Sequence, residues 1–496
     1  MRDVRRATNV ESEETDMRRG MKRREFLQLT AAGSALYLGG SGALAFGADA
    51  AKGSPLVSPG CRGTRVKVAR IYMANPAGLW PNPNLNLEEE VRRYESEFAK
   101  LKPELSDVEF VVDELVASAD QVRSLKQRLA DADGVLAIHL TLGIMPILNE
   151  VLSAGRPTMV FAAPYSGHEW AAFGSLRRQE AGAKMECILT SDYKQLAAAI
   201  RPFRAIHHLR EAKILNVTTR SFAEYADSMR DKFGTEIKQI GLEQMVDAYD
   251  SVKDTEAQAE SDRWVAEAVA VVEPSKEAIF KSCKLALAFE RLLDEENATA
   301  MTVECYGSMH GPLCQSYAYP CIGFTRLNNM GFGGICESDL PCAMTHVLFQ
   351  GLTGRPGFIS DPTVDEANNS IILAHCLGTT KMDGPDGPAA PYKLRCIMER
   401  QEGAVAQVKM RAGQEVTQAI LVGADRLPYF TGVVIDAPDV DRGCRTKIEV
   451  QVNGDVKRLW ENWSSGLHRV TCYGDVTRDL ARFCRFKEIN MANEAA

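Results

Sequence analysis

Residues 329–361 read NMGFGGICESDLPCAMTHVLFQGLTGRPGFISD. Three glycines, Gly331, Gly333 and Gly334, lead to two carboxylates one residue apart, Glu337 and Asp339. Apolar spacing predicts a helix over 341–350, then a glycine-bounded turn over 351–356 and an apolar run ending at Asp361. Asp339 falls at the N-cap of that helix, with Pro341 just inside it. Capping alone accounts for these residues. A second reading is that glycine lets the backbone approach a ligand while the carboxylates hold a metal. The choice depends on what the rest of the chain brings to this place.

Upstream, strands predicted at 66–73, 108–112, 134–139 and 158–163 alternate with helices at 87–101, 117–132 and 144–154. Such alternation implies an open parallel sheet, whose ligand-facing loops follow the strand ends. A second alternation starts near residue 185. Its strands are 188–189, 212–217 and 237–242, with helices at 194–206, 222–233, 253–271 and 275–294. No G-x-G-x-x-G follows any of these strands, so no dinucleotide site is signalled. The segment 300–305 is a strand with Glu304 near its end, and 370–376 is a strand carrying His375 near its end. Period-2 runs then take over at 404–410, 416–422, 429–435, 447–452 and 467–473, and a helix at 476–486 closes the chain. The expected fold is α/β: two Rossmann-like α/β domains, 64–170 and 171–298, followed by a C-terminal β-rich, barrel-like domain, 299–496.

The chain has 496 residues, a formal net charge of -8 and 45% hydrophobic residues. It has no basic stripe with interleaved aromatics, so nucleic acid is not an expected partner. Its 13 cysteines include no C-x-x-C pair, which argues against a zinc ribbon. Five of them, Cys305, Cys314, Cys321, Cys336 and Cys342, crowd the opening stretch and are expected to be buried small apolar residues. Residues 1–50 resemble a twin-arginine (Tat) export signal: Arg23-Arg24, a weakly apolar Gly/Ala-rich run, then Ala48-Asp49-Ala50 as a cleavage pattern. Met21 is a candidate initiator. The expectation is a periplasmic or otherwise exported protein with no stable membrane span after cleavage.

Glu304, Glu337, Asp339 and His468 are the acid and imidazole candidates of the C-terminal third. Two carboxylates and one histidine suit Mn²⁺ or Mg²⁺. Open positions on such an ion would polarise a sugar's carbonyl and hydroxyl, and the carboxylates would move protons between adjacent carbons.

CESDLPCAMTHVLFQGLTGRPGFISD resembles the acid-x-Asp motif, helix and Leu-Thr-Gly turn of the L-fucose isomerase family. NNSIILAHC resembles that family's strand ending in His-Cys, and GLHRVTCYGDVTRDLARFCRFKEI its closing His, strand, Tyr-Gly-Asp and helix. The three matches occur in family order and cover roughly 300–376 and 466–488. The resemblance implies a Mn²⁺-dependent aldose–ketose isomerase working through an enediol on a free monosaccharide. It also implies a homo-trimer or hexamer. Carried over by residue, Glu304, Asp339 and His468 hold the metal, and Glu304 and Asp339 shuttle protons. Glu337, His375 and Trp463 are the candidate substrate contacts. For each a bland role stands beside it: Glu337 as a salt-bridged support, His375 as a core histidine, Trp463 as packing. The alternatives are an exported sugar-binding protein without catalysis, or another enediol reaction such as epimerisation or lyase chemistry.

Overall fold

A computed structural model describes residues 64–496; residues 1–50, expected to be an export signal, lie outside the described residues. The first sheet contains β1 (Val66–Met73), β2 (Val108–Val116), β3 (Gly134–His139), β4 (Thr158–Ala162) and β5 (Met185–Leu189). All are parallel, in the order β2-β1-β3-β4-β5. β3 and β4 are buried on both faces, which explains their unbroken apolar sequences. β5 lies beyond residue 170, so this sheet takes in more chain than the alternation suggested. The helix expected over 117–132 is two short helices, Ala119–Ser124 and Lys126–Ala130, meeting at Leu125.

The second sheet joins β6 (Lys213–Val217) and β7 (Glu236–Ile240) to two later strands. A two-residue strand, β8 (Ala270–Val271), intervenes in the chain and pairs elsewhere. β9 (Ala300–Val303) and β10 (Gly333–Cys336) complete the sheet in the parallel order β10-β9-β6-β7. The segment following residue 298 therefore completes the second sheet before the β-rich region begins.

That region holds β11 (Phe358–Asp365), β12 (Ser370–His375), β13 (Tyr392–Arg395), β14 (Val405–Val408), β15 (Glu415–Ala419), β16 (Arg426–Asp436), β17 (Thr446–Val452), β18 (Arg469–Tyr473) and β19 (Asn490–Asn493). Six antiparallel strands run β15-β18-β11-β12-β17-β16, and β15 also pairs with β16, which closes a barrel. Phe358, Ile371, Leu373, Val416, Phe430 and Val450 share one apolar cluster. Ile359, Val470 and Cys472, alternate residues of the same barrel, join Met301, Val303 and Ile335 of the second sheet in another. One continuous core thus spans the second sheet and one side of the barrel.

The helix Leu340–Thr353 sits in that core, buried at every residue but Pro341. It extends beyond the expected end at 350. Gly351 does not stop it, because a Cβ there would lie 2.7 Å from Ala205 Cα: this glycine permits close packing on the helix Gln195–Glu211. The helix ends at Gly354, whose φ of +69° makes the left-handed cap. Gly333 and Gly334 are explained in the same way. A Cβ would meet Ala300 Cβ at 2.7 Å in the first case and the Phe324 backbone at 2.6 Å in the second. They serve packing within the fold rather than approach to a ligand. The five clustered cysteines are all buried, as expected. Among the described residues no helix is long and apolar enough to cross a membrane.

Candidate active site

β10 stops at Cys336, and the next two residues are left-handed although neither is glycine: Glu337 at φ 63° and Ser338 at φ 54°. Each such residue costs roughly 1–2 kcal/mol, and such strain gathers at functional sites. The turn is held by Ser338 N–H on Val303 O at 3.2 Å, Asp339 N–H on Cys336 O at 3.2 Å, and Ser338 Oγ on Asn216 Oδ1 at 2.7 Å.

Asp339 then begins the helix. Its Oδ1 accepts from the Cys342 amide at 2.9 Å, as the N-cap position required. Its Oδ2 lies 2.9 Å from His468 Nδ1. With Nδ1 fixed there, His468 turns Nε2 toward Asp361 Oδ1 at 3.1 Å and Glu337 Oε2 at 4.0 Å. Strand pairing explains the approach: Ser360 of β11 is in register with Arg469 of β18, so the adjacent Asp361 and His468 meet at the end of that pair. Burial works against a charged His468 ring. Hydrogen bonds to Asp339 and Asp361, with the charges of Asp339 and Glu337, outweigh it and hold the ring at about 10. Burial lifts the Glu337 carboxyl above its ordinary range; His468 opposes this, while Asp361, Asp339 and Glu399 add to it. Asp361 is also buried, but its hydrogen bond to His468, with that ring's charge, brings it below its ordinary value.

His375, at the end of β12, accepts the Cys376 amide proton at Nδ1, 2.9 Å away. Burial, with the charge of His468, lowers it to about 4, so the ring is neutral at physiological pH. A neutral ring accepting at Nδ1 carries its proton on Nε2. That Nε2 is buried without a hydrogen-bond partner and stands 3.9 Å from Glu337 Oε1. It is a donor waiting for an acceptor. Asp361, His375 and His468 also bring ligand atoms within 4.8 Å of one another. The protonated Nε2 nevertheless directs His375 toward an oxygen rather than an ion. One imidazole nitrogen and two carboxylates, from His468, Asp361 and Glu337, therefore suit Mn²⁺ or Mg²⁺ in donor type. Asp339 fixes the imidazole from behind, as the outer partner of a metal-bound histidine does.

The expected residues thus divide. Asp339, His468, Glu337 and His375 come together. Glu304 does not join any candidate metal group among the described residues. Its carboxylate accepts from Thr218 Oγ1 at 2.5 Å, Ser308 Oγ at 2.6 Å and Arg220 Nη1 at 2.7 Å. Burial raises its carboxyl, and these donors more than offset that, leaving it below its ordinary value. The acid lies at a strand end, as read from sequence, but the loop after β6 has claimed it. Trp463 donates Nε1–H to Gly466 O at 3.1 Å and lies under the Arg469 guanidinium, 4.1 Å from its ring centre. Both contacts are within the chain. Asp361 went unassigned in the sequence, although it closes the opening stretch. The signal available was an acid two residues into the polar end of an apolar strand.

No family model matches the chain. A sulfoquinovose isomerase from Clostridium sp. (strain MSTE9) is 28% identical over 176 residues, which is 33% of this chain and 38% of that protein.

Proposed function

We propose that the chain is a divalent-metal-dependent aldose–ketose isomerase acting on a free sugar or an acidic sugar derivative. The observation behind this is His468, with Nδ1 fixed by Asp339 and Nε2 turned toward Asp361 and Glu337. The partial likeness to a sulfoquinovose isomerase supports the class of reaction. In this reading Glu337, Asp361 and His468 hold Mn²⁺ or Mg²⁺, replacing the set Glu304, Asp339 and His468. When bound, the ion would polarise the sugar's carbonyl and neighbouring hydroxyl.

The remaining chemistry belongs to the chain. Glu337, its carboxyl lifted by burial, accepts a proton from one sugar carbon and returns it to the next, through an enediol. His375 donates Nε2–H to a substrate oxygen. Asp339 positions His468 and touches no reacting atom. The twin-arginine-like segment supports action in the periplasm, and the family resemblance supports a homo-trimer or hexamer, which light scattering would measure.

The test is NMR of product formation in deuterated water, with a panel of aldoses, ketoses and sulfoquinovose, before and after chelation. The expected result is metal-dependent isomerisation with deuterium at C1 or C2. Stoichiometric Mn²⁺ binding without turnover of any sugar would favour the sugar-binding alternative. Turnover to an epimer or a cleaved product would assign a different enediol reaction. Turnover unaffected by chelation would overturn the metal.

A further inference from the structure

A second cluster of potential ligands lies beside the site just described, and the proposed reaction does not use it. Cys376 follows β12 directly, and Cys444 lies two residues before β17. These strands are antiparallel, with His375 opposite Thr446, so their ends bring the two cysteines together. Their sulfurs are 3.8 Å apart. Glu399, in the turn between β13 and β14, places Oε2 3.7 Å from Cys376 Sγ and Oε1 3.2 Å from Cys444 Sγ. The three side chains bring ligand atoms within 4.8 Å of one another. Asp361 contributes on the near side: its Oδ2 is 3.7 Å from Cys444 Sγ, while its Oδ1 faces His468.

These separations are those of ligands around one tetrahedral ion. With metal–sulfur bonds of about 2.3 Å, two thiolates at the tetrahedral angle stand about 3.8 Å apart, and a thiolate and a carboxylate oxygen about 3.5 Å. A disulfide would need the sulfurs at about 2.05 Å. Burial grades outward from Cys376, buried, through Cys444, partly exposed, to Glu399, exposed, which leaves a path for an ion to enter.

We propose that Cys376, Cys444 and Glu399 form a second cation site, selective for a thiophilic divalent ion of the Zn²⁺ type, with Asp361 as the carboxylate shared with the first site. The sharing of Asp361 rests on the function proposed above; the thiolate site does not. Two thiolates favour a softer ion than the oxygen-rich first site, so the two positions discriminate between metals by ligand type. Binding displaces the two thiol protons and leaves the ion's oxidation state unchanged.

Co²⁺ and Cd²⁺ are the probes, added to the full-length protein purified with reductant and stripped of metal. Thiolate-to-metal charge-transfer absorption separates this site from Glu337, Asp361 and His468, which include no sulfur, and the cysteine variants separate it from other thiols such as the Cys305–Cys336 pair. The expected result is one equivalent of thiolate-bound ion per chain. The band should be lost in Cys376→Ser and in Cys444→Ser, and should persist in His468→Ala. The partly exposed Cys444 provides the variant less prone to misfold, and circular dichroism checks both. Absence of the band in the wild type overturns the site, as does its survival in the Cys376→Ser/Cys444→Ser double variant. A Cys376–Cys444 disulfide in peptide maps of protein purified without reductant and never stripped would assign the pair to a redox role and overturn the proposal. Loss of Mn²⁺ binding with the band intact would instead count against the first site only.

Discussion

One carboxylate of Asp339 caps a buried helix and orients an imidazole: Oδ1 takes the Cys342 amide and Oδ2 meets His468 Nδ1, each at 2.9 Å. The start of the helix and the direction of His468 Nε2 are therefore fixed by the same residue.

Replacing Asp339 with Asn should separate these roles. An amide oxygen still caps the helix but no longer presents a charged acceptor to His468. Mn²⁺ affinity should fall by roughly 10–100-fold, with a much smaller change in melting temperature. Asp339→Ala should lose the affinity and also about 1 kcal/mol of stability from the lost cap. Mn²⁺ titration followed by electron paramagnetic resonance, with thermal melts beside it, distinguishes the two variants.

Glu337→Gln should lower kcat by about 10²–10⁴-fold, whereas Glu304→Gln should leave Mn²⁺ stoichiometry unchanged. If Glu304→Gln abolishes Mn²⁺ binding, the ligand set returns to the one first read from the sequence. Metal analysis of the purified variants decides it.

Metal binding should release a proton. In the metal-free protein His468 is held at about 10 and is therefore charged near neutrality. An ion requires the neutral ring. The sign follows: apparent Mn²⁺ affinity rises with pH, by about tenfold per unit, and levels off only above the His468 value. Titration calorimetry in buffers of different ionisation enthalpy would count the proton.

Acid should weaken the fold through two rings far from solvent. Burial lowers His208 to about 3 and His346 to about 4. Both are depressed below the unfolded value of about 6.5, so the unfolded chain binds more protons in between. Their stabilisation is complete above about pH 6.5 and declines as pH falls toward 4, at about 1.4 kcal/mol per pH unit for each ring. Melting temperatures from pH 8 to pH 4 should show this decline. His346→Gln, whose carbonyl can still accept from the Gly357 amide, should show a shallower one.

Gly334→Ala should cost roughly 1–3 kcal/mol by overpacking, because its Cβ would meet the Phe324 backbone at 2.6 Å. The strand leading to Glu337 would shift, so turnover should fall together with melting temperature. A fall in turnover alone would restore the reading in which this glycine faces a ligand.

Local sequence pattern revealed much of the fold. The fully buried β3 and the period-2 runs at 416–422, 429–435, 447–452 and 467–473 fell on strands, the last four in the barrel, because each pattern reports one strand's own surroundings, while the run at 404–410 is β14 of a separate sheet with β13 and β8. A barrel-like region was expected, but the strands that close it did not show, since closure depends on β15 meeting both β18 and β16. In the site, Asp339 and His468 were identified separately, but their contact joins residues 129 positions apart. Glu304 stands apart from that pair for a physical reason. Its strand-end position was read correctly, yet the partners that occupy it, Thr218 and Arg220, come from another strand's loop. Asp361 was passed over because its approach to His468 appears only when β11 and β18 are paired.

The apolar core that runs without a break from the second sheet into the barrel has a consequence for the proposed site. Glu337 approaches from one side of that core, and Asp361 and His468 from the other. Both sides are therefore anchored in one apolar cluster. In the proposed isomerase these groups would meet a ligand from positions that one shared core already sets.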